Sequence, residues 1–203
     1  MALSFEEEGH IYRLGKRVLP SVTTILKATG LYDEYKEIPQ HFVVAAGLRG
    51  DAVHAAVHRF NETGMWSPDI HPDVEPHLAA YRQWAEETGF TCHHSELRLH
   101  CQTLFFAGTL DDVGDIYGEP GLLDIKSTRE LNIEATRIQT AAYYWMYKRS
   151  GLEPQVGPDD RYALHLRPHM SPPYRLEQFE GTFDEDIVEF LNRYRKYMER
   201  EET

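Results

Sequence analysis

The stretch from Phe105 to Ser127 constrains this chain most, because a β-sheet is the structure that accommodates it. Phe105 to Tyr117 reads as one strand, rich in Phe, Leu, Val, Ile and Tyr, and Leu122 to Ser127 as a second, shorter one. Between them, Glu119-Pro120-Gly121-Leu122 offers Pro then Gly at the central positions of a type II turn. Side chains alternate across a strand, so Asp124 and Lys126 share one face while Leu123 and Ile125 point into a core on the other. A carboxylate and an ammonium in an otherwise apolar strand are costly to bury unless something uses them.

A divalent metal would use them. Mg²⁺ and Mn²⁺ take hard oxygen ligands, commonly a few carboxylates, with water and phosphate oxygens completing an octahedron. Asp111 and Asp124 are the two candidate carboxylates, and the carbonyl of Ile125 is a third candidate oxygen. Lys126 is placed to orient or deprotonate an attacking water and to stabilise charge developing on phosphate. The chemistry so assembled is metal-assisted phosphodiester hydrolysis.

Further motifs flank this pair. Gly108-Thr-Leu-Asp111 precedes Asp124-Ile-Lys126, and Gln139-Thr-Ala-Ala-Tyr143 follows on a helix where Gln139 and Tyr143, one turn apart, share a face. Upstream lie Gly50-Asp-Ala-Val-His54 and, in the strand-like run Ser95 to His100, Glu96. In this order and spacing the set resembles the PD-(D/E)xK nuclease superfamily, in its RecB-like and phage-type exonuclease branch, over roughly residues 45 to 150. The segment Leu19-Pro-Ser-Val-Thr-Thr-Ile-Leu26 is similar to the entry of single-strand exonucleases of that superfamily. Its helical stripe Val22, Ile25 and Leu26, with Ser21 as N-cap, is equally a packing feature.

The resemblance implies a restriction-endonuclease-like core and a DNA nuclease of the exonuclease type, acting at ends or on single strands in recombination, repair or replication. It implies His54, Glu96, Asp111 and Asp124, with the Ile125 carbonyl, as metal ligands. Asp111, Asp124, Lys126, Gln139 and Tyr143 would form the catalytic set, with Gln139 holding the lysine or water and Tyr143 touching substrate. For Gln139 and Tyr143 ordinary packing and base stacking are alternative readings. A structure-specific endonuclease and a non-catalytic nucleic-acid-binding module on the same fold are the rival functions. Iron–sulfur members of the branch use four cysteines, whereas this chain has 2, Cys92 and Cys101, so no such cluster is expected.

Neighbouring residues are weighed against plainer roles. Asp112 should face away from Asp111 as a solvated edge residue, and Asp115 shares the face of Asp111 as a weaker candidate. His58 follows His54 by one turn and is read as a bystander. On an alternating strand His94 and His100 share the face of Glu96, and His93 does not.

The net charge is −12, which opposes non-specific affinity for a polyanion. Acidic residues crowd at 6–8, 33–37, 177–189 and the C-terminus, while Lys126, Arg129, Arg137, Lys148, Arg149, Arg161, Arg167 and Arg175 suggest a local basic groove. At 41% hydrophobic and 27% charged, the composition is that of a globular domain. No apolar run approaches the ~20 residues that cross a bilayer, and the acidic start lacks a signal peptide's basic and apolar regions. A cytoplasmic setting in a bacterium or phage-infected cell is expected, with DNA as partner, a recombination or single-strand-binding protein as a second partner, and no membrane.

Helical periodicity covers His41–Phe60, Asp73–Thr88, Ile133–Ser150 and Asp184–Arg200. Strands are expected at Phe90–His100, Tyr162–Arg167 and Tyr174–Phe179, and a turn-rich surface loop at Glu153–Asp160. The order implies an α/β (α+β) fold with a central mixed sheet flanked by helices, as one domain over 1–203 whose first 40 residues form a hairpin–helix extension.

Overall fold

The computed structural model describes residues 2–32 and 38–201; the acidic stretch 33–37 and the last two residues lie outside them. Two sheets form. A small antiparallel sheet joins β1 (Leu3–Glu6), β2 (Ile11–Leu14) and β3 (Arg17–Leu19), where the sequence suggested only a hairpin over residues 9–18. The main sheet runs in the order β4 (Thr91–Cys101), β5 (Phe106–Ile116), β6 (Glu119–Lys126), β7 (Arg161–Leu166) and β8 (Tyr174–Gln178). All neighbours are antiparallel except β6 and β7, which are parallel because helix α4 (Ile133–Ser150) crosses between them. The sheet is therefore mixed and flanked by helices, as expected.

Helices α1 (Val22–Ala28), α4 and α5 (Phe183–Glu201) bury one face through Ile25, Phe106, Leu110, Leu122, Ile138 and Phe190. Helices α2 (Gln40–Thr63) and α3 (Glu75–Thr88) bury the other through Val53, Val57, Trp84, Leu123, Ile125 and Leu164. Ser21 caps α1, its Oγ accepting from the Thr24 amide at 3.0 Å, and Val22, Ile25 and Leu26 are fully buried. The small sheet is tied to β5: the Ala107 amide donates to the Pro20 carbonyl at 3.0 Å, and Tyr12 Oη lies 2.7 Å from Thr109 Oγ1. Among the described residues no helix is long and apolar enough to cross a membrane.

The β5–β6 turn differs from the sequence expectation. It is formed by Tyr117-Gly118, not by Pro120-Gly121. Both central residues have positive φ, 55° and 85°, as a type I′ turn requires, and its twist matches that of the flanking strands. Pro120 instead pairs with Asp115 inside β6, before β7 begins pairing at Leu122, so its missing amide costs no ladder bond there.

Two of the arginines assigned to a basic groove are structural. Arg161 is fully buried and its Nη2 donates to Asp186 Oδ2 at 3.1 Å; Arg137 Nε lies 2.8 Å from Asp186 Oδ1. Arg161 also donates to the Pro158 and Arg137 carbonyls at 2.8 and 3.0 Å, tying β7 to α4 and α5. A buried carboxylate deprived of its partner is strongly destabilising, so Arg161→Met is expected to cost about 3–5 kcal/mol. Urea denaturation checks this; an unchanged midpoint would show that Asp186 does not need the second guanidinium.

Candidate metal centre

One level of the main sheet is interrupted. Ser95 pairs with Asp112 and Leu97 with Leu110, but Glu96 and Asp111 between them make no ladder pair. On its other side, β5 pairs with β6 only as far as Asp112↔Leu123. Glu96 sits at φ 50°, a left-handed conformation costing roughly 1–2 kcal/mol for a residue with a Cβ. The pleat changes phase there. Leu110 packs in the α1/α4/α5 layer, whereas Asp112, two residues on, meets Asn61 of α2. Residues of both helical layers can therefore reach the same spot.

His54 comes from α2, Glu96 from β4 and Asp111 from β5. His54 Nδ1 lies 3.3 Å from Asp111 Oδ1 and 3.9 Å from Glu96 Oε1, and all three ligand atoms fall within 4.8 Å of one another. An octahedral ion with bonds of about 2.1 Å needs cis donors about 3 Å apart and trans donors about 4 Å apart. The donor set, two carboxylates and an imidazole, fits Mg²⁺ or Mn²⁺ with small adjustments. Asp111 is fixed from behind, its Oδ2 accepting from the Ile125 amide at 2.6 Å in place of the lost ladder bond. Ile125 touches the cluster through that N–H.

The DxK pair stands beside this group. Asp124 is 1% exposed and its Oδ2 lies 2.5 Å from Lys126 Nζ, so its carboxylate is engaged by the lysine and does not join the three clustered donors. Lys126 Nζ also donates to Gln139 Oε1 at 3.3 Å, and Gln139 Nε2 donates to Tyr143 Oη at 3.1 Å. Tyr143 is buried, and its Cε1 sits where a Cβ on Gly108 would be, 2.6 Å away. Only glycine fits there without moving the ring. Tyr143 therefore holds Gln139, which holds Lys126; neither substrate contact nor base stacking is open to a ring so covered.

Burial and crowding set the protonation states. Burial, reinforced by the Asp111 charge, pushes Glu96 up to about 7. Asp124 rises to about 6, burial outweighing the Lys126 ammonium. Burial opposes charging of His54, yet the Asp111 carboxylate and their hydrogen bond lift it to about 9. Asp111 is held below the carboxylate range in spite of burial, chiefly by His54. Lys126 is raised against its own desolvation, chiefly by Asp124, which keeps it an ammonium beside that carboxylate.

Several neighbours lie elsewhere than the alternation pattern put them. Asp112 is not solvated: it is 1% exposed, accepts from Asn61 Nδ2 with both oxygens at 3.0 Å, and is pushed up to about 7 by burial. Tyr81 Oη in turn donates to Asn61 Oδ1 at 3.0 Å. His54, His58 and Asn61, at i, i+4 and i+7 of one helix, carried the signal for this contact. Asp115 pairs with His93 Nε2 at 3.0 Å, away from the cluster, and His94 Nε2 meets the Glu153 carbonyl at 2.7 Å. The register shift between Cys92 and His94, together with the left-handed Glu96, removes the alternation on which the histidine assignment rested. Tyr32, after α1, had no local signal; its hydroxyl reaches Gln139 Oε1 at 3.5 Å.

Comparison with protein-family models finds no match to this chain, and comparison with curated protein sequences finds none.

The raised groups give the cation-free protein a definite pH dependence. Glu96, Asp112 and Asp124 bind protons more tightly folded than unfolded. Their contribution is present below the usual carboxylate value of about 4 and is lost as pH rises through 6 to 7. His54 acts in the same direction, with loss as pH rises from its usual value of about 6.5 through 9. In EDTA the melting temperature should therefore be lower at pH 8 than at pH 5.5, and Mn²⁺ at pH 8 should raise it by several degrees. Thermal melts followed by circular dichroism test this; a melting temperature that climbs with pH in EDTA, or ignores Mn²⁺, contradicts it.

Proposed function

We propose that this protein is a divalent-cation-dependent deoxyribonuclease that hydrolyses phosphodiester bonds, most naturally as an exonuclease on DNA ends or single strands. One observation carries the reading. At the interrupted level of the sheet, a histidine from one helical layer and two strand carboxylates gather donors within 4.8 Å. Beside them is a lysine buttressed by Gln139 from the opposite layer. The order of the motifs and their resemblance to the PD-(D/E)xK branch point to phosphodiester chemistry, and the donor chemistry to Mg²⁺ or Mn²⁺.

His54, Glu96 and Asp111 would hold the cation, with Asp124 adjoining. A bound cation would polarise the scissile phosphate and lower the pKa of a coordinated water. The protein's residues do the rest. Lys126 presents a fixed ammonium near the position of developing charge, where a low-dielectric setting strengthens it. Gln139 and Tyr143 keep that ammonium from swinging away, and Gly108 leaves the ring its place. Asp111 holds its orientation through the Ile125 amide, so it needs no reorganisation when the cation arrives.

Asp124→Ala and Lys126→Ala are each expected to reduce Mn²⁺-dependent cleavage of linear DNA at least ~10²-fold, the scale of one preorganised electrostatic group, while the protein still folds. Near-normal cleavage by either purified variant would refute the assignment. Circular single- and double-stranded substrates place the activity: loss of linear DNA alone fits an exonuclease, nicking or opening of circles an endonuclease, and loss of neither a binding module.

A further inference from the structure

A cavity of ≈ 680 Å³ opens at the C-terminal ends of β6 and β7. Arg49, Arg129 and Arg167 line it, together with Ser127 and Thr128, the two residues that follow Lys126. Asp73 and Glu130 also reach its wall. The guanidinium Nε atoms of Arg49 and Arg167 are shielded from solvent and find no hydrogen-bond acceptor among the described residues. Among the described residues Arg49 makes no ion pair, and the Arg167 guanidinium donates through Nη2 to the Tyr174 carbonyl at 3.1 Å. The other arginines whose Nε lacks a hydrogen bond stand beside carboxylates, Arg137 by Asp186 and Arg193 by Glu189. Three arginines line one cavity and none of them is ion-paired among the described residues, so the cavity suits an anion.

Position says which anion. Arg49 precedes His54 by five residues on α2, or about 7.5 Å along the helix at 1.5 Å per residue. Arg167 follows by two the residue His165, which pairs with Lys126. The cavity thus adjoins the end of the DxK strand, just past Lys126. We infer that Arg49 and Arg167, with Arg129 at the rim, form a subsite for a phosphate group of the DNA strand adjacent to the phosphate being cleaved. Guanidinium groups hold phosphate through paired N–H donors, which a lysine cannot reproduce. In a chain of net charge −12 such a subsite concentrates cationic donors where the strand needs them. The inference rests on reading the neighbouring centre as a phosphodiesterase. The phosphate is either a strand-terminal monoester or a diester of the continuing strand.

The test is fluorescence anisotropy of a labelled single-stranded oligodeoxynucleotide in EDTA, with and without a phosphate at its unlabelled end. Arg49→Gln and Arg167→Gln are each expected to weaken binding about tenfold and to reduce the salt slope by about one. Arg49→Lys should recover part of the loss. Glu130→Gln, which removes an opposing charge without touching the guanidinium groups, should tighten binding about threefold. A preference for the phosphorylated end assigns the subsite to a terminal monoester, and equal binding to an internal diester; both support it. Mn²⁺ stabilisation retained in the Gln variants shows that they are folded. Folded Gln variants that bind and cleave like the wild type overturn the subsite and leave the nuclease reading standing. Arginine-dependent binding by a wild-type protein that cleaves no DNA has the opposite meaning, upholding the subsite and removing the nuclease.

Discussion

Glu96 and Asp111 face each other across a gap in the β4–β5 ladder, and the arrangement of the whole centre follows from that gap. A continuous ladder would send successive side chains to alternate faces and leave the two helical layers sealed from one another by the sheet. Here the pleat changes phase at Glu96 and Asp111, and β5 stops pairing with β6 at the same level. A backbone amide left without its ladder partner, that of Ile125, is satisfied by the Asp111 carboxylate. The lost hydrogen bond is thereby replaced by one that also aims a ligand. The left-handed backbone of Glu96 is the conformational cost of this layout, and it falls on a residue whose carboxylate joins the cluster.

Negative charge is crowded in this layout. Glu96, Asp111, Asp112 and Asp124 lie close enough to disturb one another's ionisation, and Lys126, a protonated His54 and, for Glu96, Arg98 oppose them. Burial without neutralisation pushes three of the four carboxyls above their usual range. Bound Mg²⁺ or Mn²⁺ would supply the missing positive charge, and in doing so would displace protons rather than merely fill a space. The same logic extends outward to the arginine-lined cavity. The protein as a whole is acidic, yet three arginines gather around the cavity past Lys126.

Much of this could be read from residues, and the failures have a common cause. Helix α4 runs over Ile133–Ser150 in both readings, because Asn132 and Gly151 are strong local end signals and its periodicity is unbroken. The α1 stripe and its Ser21 cap were likewise written locally. What could not be read was anything that depends on interrupted alternation. Asp112 was set on the solvent side because a regular strand would put it opposite Asp111, and the histidines around Glu96 were sorted by the same rule. The Pro-Gly pair outweighed Tyr117-Gly118 as a turn signal because tyrosine seldom takes positive φ, while the register that favours it is a property of the paired strands. Arg161 looked like a groove residue until Asp186, 25 positions on, came into contact with it. The set of candidate ligands was visible, but their division into a clustered triad and an adjoining lysine-engaged aspartate was not.

The central claim is that His54, Glu96 and Asp111 gather around one divalent cation beside Asp124 and Lys126. Anomalous diffraction from crystals soaked in Mn²⁺ tests it most directly. The account predicts a single strong anomalous peak, or a pair sharing Asp111, within about 2.3 Å of Asp111 and Glu96 oxygens and of a His54 nitrogen. A Mn²⁺ peak elsewhere, or none at saturating Mn²⁺ with these side chains turned apart, would contradict it.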